Sequence, residues 1–407
     1  MKTVKRKLYL DKISDFIDKD VVKIIVGIRR SGKSEVLKMI KEEVLRIADE
    51  EHVIHLNFED MTLSPLLDAQ SLHVYLESRM TDSGKYYLFL DEIQLISGWE
   101  KVINSMRLRS TDIYITGSNA TLLSGELSTL LTGRYVLFNV YPLSYREFIE
   151  FRDEFGISDS SIISNIQKYL EIGGFPILST QKFNNDSSKM IIQDINNGII
   201  YRDVVGRYNI RNVELLERVI GFIYDNIGNL VSLRKISDYF KKEKRSSADI
   251  ETIGNYLEHL RNAFIINRVP RYDIKGKRIL ESNDKFYLTD HSLQFAVRSW
   301  SNDRIPGLLE NIVYVEALRR GYTVYVGKVN DVEVDFVAIR NNGLEKVYIQ
   351  VCLRYSDNEI TRNREFTPLL SIKDHHAKYL VSLEDYSETT DEGIRVINLE
   401  KFLLMDW

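Results

Sequence analysis

The segment Gly27–Ser34, GIRRSGKS, carries two glycines followed by lysine and serine at the spacing GxxxxGK[ST]. A strand-type apolar run precedes it and a helix-type pattern follows it, which is the context that a phosphate-binding loop requires. The glycines let backbone N–H groups surround phosphate oxygens, Lys33 would bridge the β- and γ-phosphates of ATP, and Ser34 would hold magnesium. A glycine-rich turn that binds no ligand is the alternative. The other residues expected to contact the nucleotide are Gly27, Arg30, Ser31 and Gly32.

An acidic motif ends the apolar run YYLFLDEIQ, Tyr86–Gln94. Its place at the end of a buried-type strand predicts that Asp91 orients the magnesium shell and that Glu92 polarises the attacking water. A carboxylate directly after the magnesium aspartate indicates a hydrolase. The alternative is an acid pair that does no more than end a strand.

Further polar residues are candidates to complete this site. The run ITGSNA ends in Ser118 and Asn119, and Asn119 is expected to hold the attacking water or to contact the γ-phosphate, with a helix cap as the alternative. Arg134 in TGRY is expected either to stabilise transition-state charge as an arginine finger across a subunit boundary or to form a surface salt bridge. Of Arg29 and Arg30, one is expected to face solvent or a neighbouring subunit.

The last hundred residues contain a partial nuclease pattern. In PD-(D/E)xK nucleases, a helix acid, a strand aspartate and an E-x-K strand hold magnesium and activate water. Glu310 and Asp335 fit the first two positions, but Gln350 replaces the acid and Cys352 replaces the lysine. An amide binds magnesium weakly and a thiol supplies no ammonium, so we expect a retained fold without cleavage. Arg354 as a displaced cation would allow residual cleavage, and an unrelated α/β domain is the other alternative.

Between about residues 212 and 290, three helix patterns lead into two strands joined by the turn DIKGKR, the outline of a winged helix-turn-helix. Basic residues gather near the expected recognition helix, Ser247–Leu260, and at the wing, where DNA phosphates would lie. Asp249, Glu251 and Glu258 on that helix count against DNA contact. Winged helices in ATPases also serve as protein-packing modules or as lids near the nucleotide, and these interpretations stay open. The candidate DNA contacts are Lys241, Lys242, Lys244, Arg245, Arg271, Lys275, Lys277 and Arg278.

These motifs require a scaffold of alternating strands and helices in the first third of the chain. Five β-type runs separated by helix patterns predict an α/β fold with a parallel sheet of the RecA/AAA-like P-loop NTPase class, in strand order 5-1-4-3-2. Helix patterns from Pro142 onward, broken by GGFP at Gly173–Pro176, predict a helical lid. The expected domains are residues 1–150 for the nucleotide-binding sheet, 151–210 for the lid, 211–295 for the winged helix and 296–407 for the nuclease-like α/β domain.

Composition limits the class of protein. At 407 residues and 44% hydrophobic composition, the chain can bury several cores, and its formal charge of −4 excludes a strongly basic whole-chain field. Cys352 is the single cysteine, so no intramolecular disulfide forms and a reducing cytoplasm is expected. The basic N-terminus lacks the apolar stretch of a signal peptide, and the apolar runs are too short to span a bilayer, so membrane insertion is not expected.

Together the motifs resemble those of the AAA-like archaeal-type ATPases found in bacteria and archaea. The resemblance rests on GIRRSGKS, LDEIQ, TGSNA, the LTGRY and YPLSYREF pair, GGFP, YRDVV and KFYLTDHSL, in this order. It covers nearly the whole chain, and the ordered series is more specific than any single motif. It implies an ATPase core, a winged helix and a C-terminal domain with a fold similar to Holliday-junction resolvases, and it implies no particular biological task.

The leading functional hypothesis is a magnesium-dependent ATPase that couples nucleotide-driven closure to work on DNA or on a protein partner. The alternative is a slow switch, in which ATP or ADP fixes an open or closed assembly for signalling or defence. An ATP-gated nuclease is a third hypothesis. The expected ligands are ATP, ADP and magnesium, the expected partners are DNA or an unidentified protein, and an arginine finger in trans would require a homo-oligomer.

Overall fold

The structure is a computed structural model. The residues that it describes are 4–123, 131–157, 162–242, 249–298, 301–356 and 358–407. The chain divides into two compact units, a first unit of Met1–Pro142 with Asn262–Phe264 and a second unit of Leu143–Arg261 with Ile265–Trp407. Among the described residues, no helix combines the length and the apolar character needed to cross a membrane.

The first unit is built on a sheet of five parallel strands with helices between them. The strands are β1 Val22–Val26, β2 Val53–Asn57, β3 Tyr86–Asp91, β4 Thr111–Gly117 and β5 Tyr135–Asn139, and the α-helices are α1 Lys7–Ser14, α2 Lys33–Val44, α3 Ala69–Arg79 and α4 Trp99–Arg107. The strands lie in the order β2-β3-β4-β1-β5. This confirms the predicted order 5-1-4-3-2, which is the same order read in the opposite direction.

Helices cover both faces of this sheet, and the central strands are therefore mostly apolar, although β1 carries Lys23, which is buried and paired with Asp112 of β4. Every residue of β1 and of β3 is buried, as expected for a parallel sheet with two covered faces. Leu88 packs in one core with Leu72 of α3 and Trp99 of α4. Its neighbour Phe89 packs in the other core with Leu37 of α2. Because the strands are parallel, their carboxyl ends share one edge, and the segments after β1, β3 and β4 lie side by side there.

The chain after residue 142 contains the remaining α-helices that the structure describes. They are α5 Tyr145–Glu154, α6 Ile162–Ile172, α7 Ile177–Thr180, α8 Asn185–Gly198, α9 Val213–Asp225, α10 Leu233–Lys242, α11 Ile250–Asn262, α12 Leu293–Val297, α13 Ile305–Arg319, α14 Glu359–Leu370 and α15 Leu399–Leu404. Ser144 and Glu147 form a capping box that fixes the start of α5. The segment Ile199–Gly206, which contains YRDVV, is a π-helix.

The second unit also contains a mixed sheet of eight strands. These are β6 Ile266–Asp273, β7 Arg278–Leu288, β8 Thr323–Val329, β9 Val332–Arg340, β10 Glu345–Val351, β11 Ala377–Ser382, β12 Glu388–Thr389 and β13 Ile394–Asn398. Their order is β12-β13-β11-β10-β9-β8-β6-β7. The β6–β7 hairpin, which the sequence assigns to a wing, joins this sheet because β6 pairs in parallel with β8, where Arg271 lies opposite Val326. The domain division at residue 295 stays a prediction.

The GGFP and LTDHSL motifs contact each other within the second unit. The Asp290 carboxylate accepts the Gly174 N–H at 2.8 Å. Gly173 has a φ of 73°, and a Cβ there would lie 2.1 Å from the Asp290 carboxylate, so glycine is required. His291 Nε2 lies 2.8 Å from the carbonyl oxygen of Tyr169. Both motifs therefore join α6 and the turn after it to the segment that follows β7.

Candidate functional site

The loop between β1 and α2 is shaped by two glycines. Gly27 has a φ of 152°, and a Cβ there would lie 2.1 Å from the Val140 carbonyl oxygen, so a larger residue does not fit. Gly32, at the N-cap of α2, has a φ of 95°. The loop therefore brings the N–H groups at the start of α2 to the sheet edge where β1 ends. Such a helix N-terminus favours a bound anion.

Lys33 and Ser31 are buried in this loop. The Lys33 ammonium donates to the carbonyl oxygens of Gly27 and Ile28, both at 3.1 Å, and only 4% of the residue is exposed. Ser31 Oγ is buried and lacks a hydrogen-bond partner among the described residues. A buried hydroxyl without a partner costs stability, and a phosphate oxygen would supply that partner. Ser34, the next predicted ligand, is half-buried.

Arg6 holds the loop from the N-terminal segment. Its guanidinium donates to the carbonyl oxygens of Ser31 at 2.8 Å and of Tyr141 at 2.9 Å. It lies 4.5 Å from the centroid of the Tyr9 ring, and the residue is 2% exposed. Sequence reasoning missed Arg6 because a basic run at the N-terminus normally stays in solvent.

Asp91 is the last residue of β3 and is buried. The Thr116 hydroxyl, on the neighbouring strand β4, donates to the Asp91 carboxylate and accepts the Glu92 N–H at 2.9 Å. β4 also pairs with β1, where Gly117 lies opposite Val26. The two predicted acids are therefore tied to the strand that lies directly beside the start of the loop.

Neutral donors hold the side chain of Glu92. The residue has a φ of 56°, so the chain turns sharply after β3. Its carboxylate accepts hydrogen bonds from the Gln94 amide and, at 3.3 Å, from the Ser118 hydroxyl, and it is 7% exposed. Sequence reasoning assigned no role to Gln94, although its place two residues after Glu92 in LDEIQ was an available signal.

Asn119 and Arg134 differ in burial. Asn119 follows Ser118 directly after β4 and is fully buried, so it lies at the same edge of the sheet as Asp91 and Glu92. Arg134 is exposed in the turn before β5. The structure therefore brings Asn119 to the edge that carries the acids and leaves the Arg134 side chain in solvent.

The two loop arginines also differ. Arg29 forms an ion pair with Glu59, which follows β2, at 2.8 Å. Arg30 is exposed and has a φ of 67°. Arg29 therefore ties the loop to the next strand along the chain, whereas the side chain of Arg30 lies in solvent.

The chain has relatives among known proteins. Residues 19–149 match a family described as an AAA domain, and residues 163–304 match a domain of unknown function. An uncharacterized protein of Haemophilus influenzae is 37% identical over 406 residues, which cover 98% of both chains. The chain belongs to the AAA-like archaeal-type P-loop ATPases.

A second relative and a solved structure are also similar to this ATPase. An uncharacterized protein of Methanocaldococcus jannaschii is 31% identical over 354 residues, which cover 84% of this ATPase and 77% of that protein. Among solved structures, a Walker-type ATPase of Pyrococcus abyssi covers 73% of this chain and 96% of its own, with 14% identity and a TM-score of 0.49.

The ATPase carries a second polar cluster on its mixed sheet, which we call the carboxylate cluster: Lys285, Glu310, Glu333 and Asp335. Lys285 Nζ, on β7, lies 2.9 Å from Glu333, 3.2 Å from Glu310 and 3.5 Å from Asp335. The structure thus brings the predicted residues Glu310 and Asp335 together and adds two that the sequence did not indicate. Lys285 was missed because its strand was assigned to a separate domain.

Burial and charge shift the titration of this cluster. Burial, together with the neighbouring Glu310, raises the pKa of Asp335 to about 8. Burial also raises the pKa of Glu310. Burial opposes the charge on Lys285, but the carboxylates of Glu310, Asp335 and Glu333 outweigh it and raise the pKa of the ammonium. The three carboxylates therefore favour the charged form of Lys285.

Gln350 and Cys352 have different environments. The Gln350 side chain accepts the Asp335 N–H at 3.3 Å and donates to Glu365 at 3.1 Å, so it borders the carboxylate cluster. Cys352 lies in an apolar core beside Leu380, and burial raises the pKa of its thiol. The structure therefore places Gln350 near Asp335, whereas Cys352 is a core residue.

The candidate DNA contacts on and after α10 are partly described. Lys241 and Lys242 are exposed in the last turn of this helix, and Lys241 lies 4.0 Å from Asp238. Lys244 and Arg245 fall outside the described residues.

The remaining candidate contacts lie on the β6–β7 hairpin. Lys275, Lys277 and Arg278 are exposed in its turn, and Lys275 donates to Asn330 at 2.6 Å. Arg271 is half-buried on β6, where the strand pairs with β8. The hairpin therefore offers its cations mainly at the turn.

Proposed function

We propose that this ATPase binds ATP with magnesium at the loop Gly27–Ser34 and hydrolyses it. One observation carries the proposal. Asp91 and Glu92 end β3, and both accept hydrogen bonds from side chains at the end of β4, the strand beside the loop-bearing β1. An anion-binding loop and two carboxylates at one sheet edge meet the requirements for hydrolysis of a magnesium nucleotide.

The loop residues suit a triphosphate. The N–H groups at the start of α2 and the Lys33 ammonium would bind the phosphates, and Ser31 Oγ would donate to a phosphate oxygen. Ser34 and Asp91 would hold magnesium, because this ion prefers oxygen ligands. The bound ion would neutralise charge on the β- and γ-phosphates.

Glu92 would act as the general base. Water transfers a proton to the Glu92 carboxylate as its oxygen bonds to the γ-phosphorus, and the bond to the β–γ bridging oxygen breaks, which releases ADP. Asn119 would hold the water from the neighbouring strand. The exposed side chain of Arg134 would reach the γ-phosphate of a second subunit in a homo-oligomer and stabilise charge there.

We further propose that turnover is coupled to work on DNA or on a protein partner. The helices α9, α10 and α11 precede the β6–β7 hairpin in the order of a winged helix-turn-helix. Lys275, Lys277 and Arg278 are exposed in the turn of this hairpin. Such cations suit the phosphates of nucleic acid, so contact would be with the backbone and would weaken as salt rises.

A slow nucleotide switch is the second candidate function. The observation that favours it is the engagement of the Glu92 carboxylate by Gln94 and Ser118. A carboxylate held in this way by two donors is less available to water. If the hydrogen bonds from Gln94 and Ser118 to Glu92 persist with ATP bound, turnover is slow and the nucleotide fixes one conformation. ADP that copurifies with the protein and slow exchange of a fluorescent nucleotide would favour this candidate.

Phosphate release by the wild type and by Glu92→Gln tests the proposal, with and without single-stranded, duplex and branched DNA at two salt concentrations. We expect wild-type turnover that DNA raises in a salt-sensitive way, and a variant that binds ATP without turnover. Equal turnover by the variant would exclude Glu92 as the base. A basal rate that DNA and candidate proteins leave unchanged would exclude coupling and favour the switch.

A further inference from the structure

The ammonium of Lys285 lies at the centre of the carboxylate cluster. Its nitrogen is 2.9 to 3.5 Å from oxygens of three different carboxylates, those of Glu333, Glu310 and Asp335. An ammonium has three N–H donors and no acceptor, so one donor is available for each carboxylate. The Lys285 side chain is 4% exposed, which means that this charge is neutralised inside the protein.

The same strand contributes a second contact to the cluster. Side chains two residues apart on a strand point to the same face, and Tyr287 follows Lys285 at that spacing on β7. The Tyr287 hydroxyl donates to Glu310 at 2.7 Å. From the other side, the Val351 N–H donates to Asp335 at 2.9 Å. The inward oxygens of Glu310 and Asp335 are therefore already engaged by donors of the chain itself.

Convergent carboxylates can hold a divalent cation, but within the described part of the chain no group of three His, Cys, Asp or Glu side chains is arranged to hold one. Mg²⁺ and Mn²⁺ prefer carboxylate oxygens as ligands, and they need those oxygens at a short distance around one point. In this ATPase that point is taken by Lys285 Nζ. A metal ion there would have to displace the charged ammonium of Lys285, which β7 carries.

We propose that the Lys285 ammonium takes the place of a divalent cation, so that β7 closes a latent metal site formed by Glu310, Glu333 and Asp335. The four residues form an internal ion-pair cluster as long as the β6–β7 hairpin remains paired with the mixed sheet. It binds no catalytic metal in the wild type. This inference is independent of the ATPase proposal, because none of the four residues belongs to the nucleotide site.

The test is Mn²⁺ binding to the full-length, nucleotide-free protein. Binding is measured as the loss of the electron paramagnetic resonance signal of free Mn²⁺. The wild type is expected to take up no stoichiometric Mn²⁺. Lys285→Met, which keeps much of the side-chain volume but removes the charge, is expected to bind about one Mn²⁺ per chain. Lys285→Arg retains the cation and is the matched control, for which no uptake is expected.

The double variant Lys285→Met/Asp335→Asn locates the ion, since it should lose the Mn²⁺ that Lys285→Met gains. Thermal melting gives a second readout: Mn²⁺ should raise the Tm of Lys285→Met and leave the Tm of the wild type unchanged. Lys285→Gln retains N–H donors without the charge, and it replaces Lys285→Met in all these measurements if that variant does not fold.

Two results would overturn the proposal. One is Mn²⁺ binding by the wild type that Asp335→Asn abolishes, especially if it accompanies cleavage of linear or branched DNA that is lost in Lys285→Met. In that case Lys285 would belong to an active metal site. The other is a folded Lys285→Met or Lys285→Gln protein that takes up no more Mn²⁺ than the wild type.

Discussion

Two groups of carboxylates in this ATPase differ in the partners that they meet. At the end of β3, Asp91 and Glu92 accept hydrogen bonds from the neutral side chains of Thr116, Ser118 and Gln94. In the carboxylate cluster, the acids surround the charged Lys285. Neutral donors orient a carboxylate and leave its charge for a ligand, whereas an ammonium neutralises it. The same residue types can therefore form a binding site or an internal ion pair.

Two of the buried lysines, Lys33 and Lys285, also differ in their surroundings. Lys33 donates to the carbonyl oxygens of Gly27 and Ile28 and lies at the N-terminus of α2, where phosphates are expected to bind. Lys285 instead lies among three carboxylates. Burial alone therefore does not identify a functional lysine.

The largest effects should come from removing one charge in each group, with Glu92→Gln and Glu310→Gln as a matched pair. Glu92→Gln should lower kcat by about 10²- to 10⁴-fold, because the general base is lost. Glu310→Gln should leave kcat unchanged but lower the free energy of unfolding by about 1–3 kcal/mol, because a partner of a buried cation is lost. Phosphate release and denaturant unfolding measure the two effects. A large loss of turnover in Glu310→Gln would contradict the division of roles.

The lysine pair sharpens the comparison. Lys33→Ala should lower kcat/KM for ATP by about 100-fold or more, because a charge that contacts the transferred phosphoryl group is removed. Lys38→Ala is the control on the same helix, since Lys38 is exposed and pairs with Glu35. Its kcat/KM should match that of the wild type. Steady-state kinetics of both variants test this prediction. Equal losses of kcat/KM would mean that the substitutions disturb α2 as a whole and that the effect is not specific to Lys33.

Gln94→Ala tests whether the neutral donors help catalysis. If Gln94 orients Glu92 for the water, the variant should lose about tenfold in kcat with little change in KM, since one positioning contact is removed. Gln70→Ala, at an exposed position of α3, is the control. A rise in kcat would instead show that Gln94 restrains Glu92, and it would favour the slow switch.

The smallest effect is expected at Arg6, which donates to the backbone carbonyl groups of Ser31 and Tyr141. Arg6→Met should lower the free energy of unfolding by about 1–3 kcal/mol and raise KM for ATP by less than about tenfold, because two hydrogen bonds from a charged donor are lost. Lys5→Met is the neighbouring control, since the Lys5 side chain is 49% exposed. If Arg6→Met left both the melting curve and KM unchanged, Arg6 would not support the loop.

Local patterns were enough to predict the first unit. β3 and β4 are short apolar runs followed by candidate functional residues, Glu92 and Ser118, and parallel pairing brings these ends to one edge. The strand order 5-1-4-3-2 was expected for the P-loop NTPase class that the loop and the α/β alternation together indicate. The contacts of Gln94 and Arg6 were not predicted. The spacing of Gln94 from Glu92 was a signal, but its contact depends on the backbone turn at Glu92, and the contacts of Arg6 depend on the packing of α1 against α2.

The carboxylate cluster shows where sequence reasoning ended. Glu310 and Asp335 were predicted from a nuclease pattern, whereas Glu333 was not, and the sequence suggested Arg354, not Lys285, as a displaced cation. The cation is Lys285, which lies 50 residues before Asp335, and it reaches the site because β6 pairs in parallel with β8. Pairing between strands so distant in sequence, and across a predicted domain division, leaves no local pattern.

Mn²⁺ binding in the presence of a non-hydrolysable ATP analogue tests the central claim most directly. The wild type should bind about one Mn²⁺ per chain with the analogue and none without it, and Asp335→Asn should behave in the same way. Asp91→Asn should lose this ion. Retention of the analogue-dependent Mn²⁺ by Asp91→Asn, or its loss in Asp335→Asn, would contradict the assignment of the metal nucleotide to the edge of the parallel sheet.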